Sequence, residues 1–435
     1  MITLGISEGF HNSSVCYVED GEILFASESE RYTGNKNDRW VPGELLDMYE
    51  CDNMVYYEKP FKKNIRRLLA GQSWEKTRFK CDNYYSHHLS HAAAGYYTAP
   101  FEDCNILVID AIGEWETITI WDNLKKIRSW SYPYSLGLLY SAVTQYLGFK
   151  PNEEEYIVMG MSAFGEPIYN YEYLLYENNH RGIKSLEGKP EDIAASIQKL
   201  YEDELLKLVK MCSKKNLILM GGCALNCVAN SKIKGKNIWI MPSPGDAGSS
   251  LGASALKQGK INWEHPYLGY DISRYINPKE VVDDILENKI SGVANGRAEF
   301  GPRALGNRSL LGDPRYDIKD TVNEIKKREK FRPFAPAILE EYADVYFEGP
   351  MNRYMQFVAK AKHDYKSVTH VDGTARVQLV EKDCQSIIRP ILEEWYDETG
   401  CPMLLNTSLN IKGQPIVNDW NDAKNFMEKY NVAVF

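Results

Sequence analysis

One order of elements occurs twice in this chain, and it limits what the chain can fold into more than any single motif does. Ile2 to Ile6 is a short apolar strand that opens into SEGFHNSS. SVCYVEDG and EILFASES then read as two strands joined at Asp20-Gly21. Asp-Gly between apolar runs is a strong hairpin signal, because the favoured two-residue turn needs positive φ at both positions. Further on the same order returns as NILVIDAIGE, TITIWDN and KIRSWSY. The two copies share little sequence, so what repeats is topology: a strand, a small-residue turn with polar groups, and a hairpin.

Duplicated units of this kind, with their turns facing each other, suit the actin/sugar-kinase/heat-shock class of ATP-binding α/β folds. There, phosphate sits against tight turns through backbone N–H groups. The sharpest chemical signal is YYSHHLSHAAAGYYTAPFEDCNILVID, Tyr84 to Asp110. It reads as a short helix carrying His87, His88 and His91, a loop, and an apolar strand ending at Asp110. Residues four apart share a helix face, so His87 and His91 can bind one metal and Asp110 can add a carboxylate. Two imidazoles and a carboxylate with positions left open describe a catalytic site rather than a closed structural one.

Leu136 to Leu147 has helical periodicity. It leads into GFKPNEEEYIVMGMSAFGEP, which reads as a Gly-punctuated loop. Glu191 to Cys212 reads as one long amphipathic helix with Pro190 at its start. LILMGG is a buried strand ending in Gly221 and Gly222, with CALNCVANSKI opening a helix. A Gly-Gly turn there lets backbone approach a phosphate or ribose closely. NIWIMPSPGDAGSSLGAS repeats strand, turn and small-residue helix, and places Asp246 where it could reach the metal of His87, His91 and Asp110. A basic run, Lys62 to Arg67, reads as a solvated helix face.

Composition shifts around residues 262–277, which sets a domain boundary there. VVDDILEN then reads as a helix and ISGVANG as a strand. Between Gly296 and Arg332 lie Arg297, Arg303, Arg308, Arg315, Lys319, Lys326, Lys327, Arg328, Lys330 and Arg332, interleaved with Gly and Pro. Cations in rigid turns resemble a folded anion pocket, with Arg suited to bidentate phosphate contacts. They look less like a nucleic-acid surface. PMLLNTSLNIKGQPIV is a buried strand running into a polar turn, where Asn406, Thr407 and Ser408 offer donors and acceptors to a small ligand.

The formal charge of −9 over 435 residues argues against a general polyanion-binding surface. No apolar run is long enough to span a bilayer, and the opening MITLGISEGF lacks the basic n-region of a signal peptide. No membrane association is expected. The nine cysteines are scattered, with Cys223 and Cys227 in a CxxxC spacing that fits neither a zinc ribbon nor a redox pair. Reduced thiols in a cytoplasm are the expectation. GxxxxGK[ST] and GxSxG motifs are absent, which argues against the commonest NTPase and hydrolase classes.

Ten ordered blocks now make a family resemblance. They are DGEILFASESERYT, HHLSHAAAGYYTAPF, VIDAIGEWET, VMGMSAFG, GGCALNCVAN, PSPGDAG, EFGPRALGNRSLLGDPR, FRPFAPAIL, THVDGTARVQ and LLNTSLNIKGQPIV. Together they resemble the NodU/TobZ-type O-carbamoyltransferases almost end to end, in a chain shortened by trimmed loops in its N-terminal half. The resemblance implies a domain over residues 1–264 like the tRNA threonylcarbamoyl-transfer ATPases, and a YrdC-like α/β domain over residues 265–435. The YrdC-like part would make carbamoyl-adenylate from carbamoyl phosphate and ATP with Mg2+. The other domain would move the carbamoyl group to an acceptor hydroxyl.

By motif position, the resemblance assigns His87, His91, Asp110 and Asp246 to the metal, often iron(II) in this family. Gly221, Gly222 and Asn226 fall to the adenylate. Arg303, Lys326, Arg332, Arg376, Asn406 and Ser408 fall to carbamoyl phosphate and ATP, and His11 to the acceptor as base. Iron(II), manganese and zinc all accept this donor set. Two positions depart from the family pattern on the acceptor side: Ile157 where many members have Lys, and Asn12 where many have Asp. The acceptor therefore stays open among a sugar or aminoglycoside hydroxyl, a natural-product alcohol, and a hydroxymethylated pyrimidine nucleotide or DNA. Nucleic acid enters only as such an acceptor. A tRNA-modifying N-carbamoyltransferase and a noncatalytic nucleotide-binding regulator are the alternatives, and the oligomeric state is not encoded in any motif.

Overall fold

A computed structural model describes residues 1–177, 179 and 182–435. The chain forms two compact units. The first comprises Met1–Ser29 and Asn37–Glu264, the second Glu30–Lys36 and His265–Phe435.

The first unit holds two five-stranded sheets. Strands β1 (Ile2–Ser7), β2 (Ser14–Glu19), β3 (Glu22–Glu28), β4 (Asn53–Tyr56) and β5 (Asn83–Tyr84) form one, in the order β3-β2-β1-β4-β5. Strands β6 (Asn105–Gly113), β7 (Glu116–Asp122), β8 (Lys125–Ser131), β9 (Asn216–Met220) and β10 (Asn237–Trp239) form the other, in the order β10-β9-β6-β7-β8. Each half pairs its first strand antiparallel to the second and parallel to the fourth. The topological repeat is therefore present, and the unit has the duplicated architecture of the actin/sugar-kinase/heat-shock class. The hairpin turn between β2 and β3 has Asp20 at φ 51° and Gly21 at φ 97°, the two positive values a tight right-twisted hairpin requires.

Two single-turn helices come first in the chain, α1 (Glu30–Thr33), which belongs to the second unit, and α2 (Gly43–Leu46). They are followed by α3 (Pro60–Leu69), α4 (His87–Thr98), α5 (Leu136–Tyr146), α6 (Glu155–Met161), α7 (Pro190–Met211), α8 (Cys227–Asn230) and α9 (Ser249–Gln258). The stretch read as a Gly-punctuated loop contains α6, because Ile157 and Val158 are fully buried and a helical turn satisfies their backbone. The helix expected after Gly222 breaks instead into a 3-10 turn and the four-residue α8. Helices α4 and α9 approach closely: a Cβ on Gly252 would stand 1.9 Å from the Ser90 carbonyl oxygen. The contact fixes the helix bearing the histidines against the segment bearing Asp246.

The second unit is also α/β. It contains β11 (Tyr267–Ile272), β12 (Ile290–Ala294), β13 (Gly296–Glu299), β14 (Arg308–Gly312), β15 (Ala335–Leu339), β16 (Phe347–Glu348), β17 (Ala359–Ala361), β18 (Thr374–Ala375), β19 (Gln378–Val380) and β20 (Met403–Ser408). Its helices are α10 (Pro278–Asn288), α11 (Lys319–Ile325), α12 (Glu340–Tyr346), α13 (Ile388–Thr399) and α14 (Trp420–Tyr430). The main sheet runs β12-β14-β20-β15-β19. Successive side chains point to opposite faces, so Leu311 and Leu404 pack with Ile285 and Trp395, while Leu310 and Leu405 pack with Phe426. Residues 30–36 join this unit through Arg31, whose Nη2 donates to the carbonyls of Glu299 and Gly301 at 3.4 and 3.3 Å. A sequence boundary near residue 264 alone does not place that excursion.

Arg308 explains part of the basic stretch. Its buried guanidinium donates to the carbonyls of Tyr270, Asn295, Gly296, Asn307 and Asn418. Arg315 is bidentate on Asp313, and Arg297 donates to Leu268 and Gly269 carbonyls. Arg297 and Arg308 staple backbone and Arg315 pairs with a carboxylate, so these three do not line one shared anion pocket.

Candidate metal centre

Helix α4 presents His87 and His91 on one face, as its period requires. Strand β6 supplies Asp110, though it runs three residues further, to Gly113. Asp246 opens the short 3-10 turn that leads into α9. One ligand atom from each residue lies within 4.8 Å of all the others. His87 Nε2 stands 3.0 Å from Asp110 Oδ2 and 3.4 Å from Asp246 Oδ1, while His91 Nε2 stands 3.1 Å from His87 Nε2 and 3.2 Å from Asp246 Oδ1. Donors at about 2.1 Å from one ion stand about 3.0–3.4 Å apart at octahedral or tetrahedral angles. The cluster therefore fits a single divalent ion.

Neighbouring backbone groups orient His91 and Asp110 toward the cluster. His91 Nδ1 lies 3.1 Å from the Pro244 carbonyl oxygen, which can only accept. Nδ1 thus carries the proton, and the Nε2 lone pair faces the cluster. Asp110 turns Oδ2 toward His87 and accepts the Gly222 N–H on Oδ1 at 3.2 Å. Gly221 donates its N–H to the same Pro244 carbonyl at 2.8 Å. It sits at φ 88°, and a Cβ there would stand 2.2 Å from the Ile109 carbonyl oxygen, so only glycine fits.

Burial opposes charge on His87, yet the Asp246 and Asp110 carboxylates outweigh it and hold its pKa well above 6.5. Burial would raise Asp246 and Asp110, but the imidazoles hold both carboxyls below their ordinary value. His88 points away: its Nδ1 lies 2.9 Å from Thr119 Oγ1, and burial together with His87 keeps it neutral. It is not part of the cluster.

His11 lies in the turn between β1 and β2, and its Nδ1 is buried without a hydrogen-bond partner among the described residues. Asn12 follows at φ 51°, a left-handed conformation that asparagine tolerates. The same turn borders an open cleft of ≈ 290 Å3 lined by Glu8, Gly9, Trp40, Glu58, Lys63 and Glu75, among others. Lys63 Nζ donates to Glu58 Oε1 at 2.6 Å and to the Gly9 carbonyl at 3.3 Å. Burial raises the Glu8 carboxyl, and Arg78 opposes that rise. These residues come from four separate segments, and only the Glu8–Gly9 turn adjoins a motif.

Asn226 caps α8 through the Ala229 N–H and forms an amide–amide pair with Gln198. The exposed Gly222 is the part of that turn open to a ligand.

In the second unit, Lys326 is buried. Its ammonium donates to the Ser408 carbonyl and Oγ and to the Asn410 carbonyl and Oδ1. Burial and the neighbouring Arg328 and Arg332 push its pKa well below 10.5. Asn406 Nδ2 donates to the Ala304 carbonyl and to Gln378 Oε1 at 3.2 and 2.6 Å, and Gln378 donates to the Leu305 carbonyl. This linkage gathers the loop bearing Arg303, the segment bearing Arg376 and the strand bearing Asn406 and Ser408. Arg332 lies 3.4 Å from Glu329. Gln378 and Asn410 were not singled out from sequence; both lie within or beside motif blocks, but their roles rest on backbone carbonyls that leave no sequence mark.

Two family descriptions match the chain: carbamoyltransferase N-terminus over residues 43–179 and 172–255, and carbamoyltransferase C-terminus over residues 282–435. The chain belongs to the carbamoyltransferase family and is a transferase. An uncharacterized protein of Synechocystis sp. is 32% identical over 97% of this chain and 93% of its own length. Nodulation protein NolNO of Sinorhizobium fredii is 31% identical over 95% of this chain and 76% of its own length. The first of these alignments spans 571 positions against a chain of 435, so this member lacks internal segments that its relative carries. Component A of the (R)-2-hydroxyglutaryl-CoA dehydratase of Acidaminococcus fermentans resembles 60% of the chain at 17% identity and a TM-score of 0.41.

Proposed function

We propose that this carbamoyltransferase is ATP-dependent and O-directed. Carbamoyl phosphate is hydrolysed by water to carbamate and phosphate, and the carbamate oxygen then attacks the α-phosphorus of ATP, giving carbamoyl-adenylate and releasing pyrophosphate, in the second, YrdC-like unit. The first unit then transfers the carbamoyl group to an acceptor hydroxyl and releases AMP. The observation that carries this reading is the buried His87–His91–Asp110–Asp246 cluster inside a chain whose two halves match the two carbamoyltransferase domains.

In this reading His87, His91, Asp110 and Asp246 hold one divalent ion, iron(II), manganese or zinc. When bound, it supplies Lewis-acid polarisation of the carbamoyl carbonyl or orients the phosphate. Gly222 and Gly221 offer their turn to the adenylate phosphate, with Asn226 shaping the helix start behind them. His11 takes the proton of the acceptor hydroxyl on its imidazole, the side chain whose titration falls nearest neutrality. The cleft beginning at Gly9 is where that hydroxyl enters. In the second unit Arg303, Lys326, Arg332, Arg376, Asn406 and Ser408 neutralise and orient carbamoyl phosphate and Mg2+-ATP. The depressed Lys326 ammonium and the buried Asn406 Oδ1, without a hydrogen-bond partner among the described residues, support that placement.

The test uses purified protein with anaerobic iron(II), ATP and carbamoyl phosphate. Pyrophosphate release that depends on carbamoyl phosphate, with carbamoyl-adenylate or AMP seen by mass spectrometry, is the expected result. Absence of both with iron(II), manganese and zinc alike would overturn the reading. Panels of sugars and hydroxymethylated nucleotides, scored by the mass gain of a carbamoyl group, then identify the acceptor.

A further inference from the structure

Helix α3 is amphipathic in the inverted sense. Its buried residues are Lys63 and Asn64, not its apolar ones. Lys63 is tied to Glu58 and Gly9, and Asn64 exchanges two hydrogen bonds of 2.8 Å with the backbone of Glu75. With its polar side fixed inward, the helix turns Phe61, Ile65, Leu68 and Leu69 to solvent at 67%, 38%, 51% and 75% exposure. At about 100° per residue these four fall within an arc of about 100°, one continuous stripe. Trp74, 47% exposed, extends the stripe, its ring edge-on to Phe61 with centroids 6.0 Å apart. A stripe of this kind on a free surface marks an interaction site rather than a scattered exposed residue.

Charge decides what covers it. The segment from Lys59 to Lys80 carries eight Lys and Arg against the single acid Glu75, in a chain whose net charge is −9. Lys59, Lys62, Lys76 and Lys80 are exposed. On the helix, Lys62 and Arg66 lie immediately beside the apolar arc. Phe, Trp and Leu on one face with lysines along its margin is the signature of a helix that lies in a lipid interface and is drawn there by anionic headgroups. An apolar stripe meant for a second copy of this chain would bring these lysines against their own duplicates.

We propose that α3 and the loop to Trp74 dock the protein peripherally on an anionic membrane surface. Phe61, Ile65, Leu68, Leu69 and Trp74 enter the headgroup boundary, and Lys59, Lys62, Lys76 and Lys80 meet the anionic lipids. Among the described residues no helix is long and apolar enough to cross a membrane, so the association is with the surface only. It runs against the sequence expectation of no membrane contact and is independent of the chemistry proposed above.

The test is co-sedimentation of the full chain with large vesicles of phosphatidylcholine alone, or of phosphatidylcholine with phosphatidylglycerol. Binding to the anionic vesicles that weakens as salt rises, with little binding to the neutral ones, is expected. The variant F61S/L68S/L69S, altered only at exposed positions, should bind at least tenfold more weakly with an unchanged melting temperature. K62A should bind about fivefold more weakly, the share of about one basic residue at an anionic surface. Lipids brominated in the acyl chain should quench a tryptophan component that W74F removes. Absence of binding to anionic vesicles, binding that the triple variant retains, or quenching unchanged by W74F would each overturn the proposal. A concentration-dependent dimer abolished by the triple variant would assign the stripe to a second copy instead.

Discussion

Replacing His87 by alanine should uncouple the first unit's stability from metal. An ion that binds the folded unit and not the unfolded chain stabilises it by RT ln(1 + [M]/Kd), about 4.1 kcal/mol at a free concentration 1,000 times Kd. In a unit of this size each kcal/mol moves the melting temperature by about 2–4 °C. Loading the unaltered protein should therefore raise Tm by about 8–16 °C, and a chelator should reverse it. His87 is one of four donors and makes the 3.0 and 3.4 Å contacts that bridge the two carboxylates. If its loss weakens the site about 100-fold, a factor at the upper end of what losing even a supporting contact costs, the same free metal supplies only about 1.4 kcal/mol and about 3–6 °C. Without metal the variant should also melt lower than the metal-free parent, because Asp110 and Asp246 lose the imidazole that bridges them. The assay is differential scanning calorimetry of chelated and reloaded protein at fixed free metal. An H87A protein that gains as much from metal as the parent would refute the assignment, as would a parent that gains nothing from iron(II), manganese or zinc.

Metal-free and metal-loaded protein should respond oppositely to pH. The raised His87 pKa contributes stability that is complete below about 6.5 and is lost as pH climbs through the folded value. Melts of chelated protein should thus fall from pH 6.5 upward, while metal-dependent gains should grow as the imidazoles deprotonate; parallel curves would contradict this. Gly221→Ala forces a Cβ toward the Ile109 carbonyl at a positive φ and should cost about 1–3 kcal/mol, with weakened metal retention measured by elemental analysis. Arg308→Met leaves five carbonyls, buried or partly buried, without their donor and should destabilise the second unit by about 3–5 kcal/mol in urea melts. Its pKa, lowered by burial to about 10, leaves it charged at neutral pH, so the loss should not vary between pH 6 and 8.

The parts of this architecture that can be read from sequence are those with short-range causes. The i, i+4 histidines, the strand carrying Asp110 and the Pro-Gly turn before Asp246 each follow from local periodicity or turn chemistry, and the structure brings all four together. The doubled strand order could be read from its Asp-Gly hairpin and its recurrence. What could not be read depends on backbone atoms or on which side of an element faces in. Pro244 acts through a carbonyl. Arg308 and Arg315 stood in a basic cluster whose members serve different masters, one set of carbonyls and one aspartate. Lys62–Arg67 reads as a solvated charged face, and Lys62 is indeed exposed; but Glu58 and the Gly9 carbonyl capture Lys63 and turn the apolar side outward. Helical periodicity marks a stripe but not its direction.

The Pro244 carbonyl accepts both His91 Nδ1–H and Gly221 N–H, and this sets a chronology during synthesis. His87, His91 and Asp110 leave the ribosome more than a hundred residues before the carbonyl that selects the His91 tautomer and before the fourth member of the cluster, Asp246. A nascent chain therefore carries three donors whose protonation is not yet chosen. At the proposed metal site, capture of an ion would wait until both halves of the first unit exist, and a truncated chain ending before residue 244 would carry the histidine motif without the means to set it.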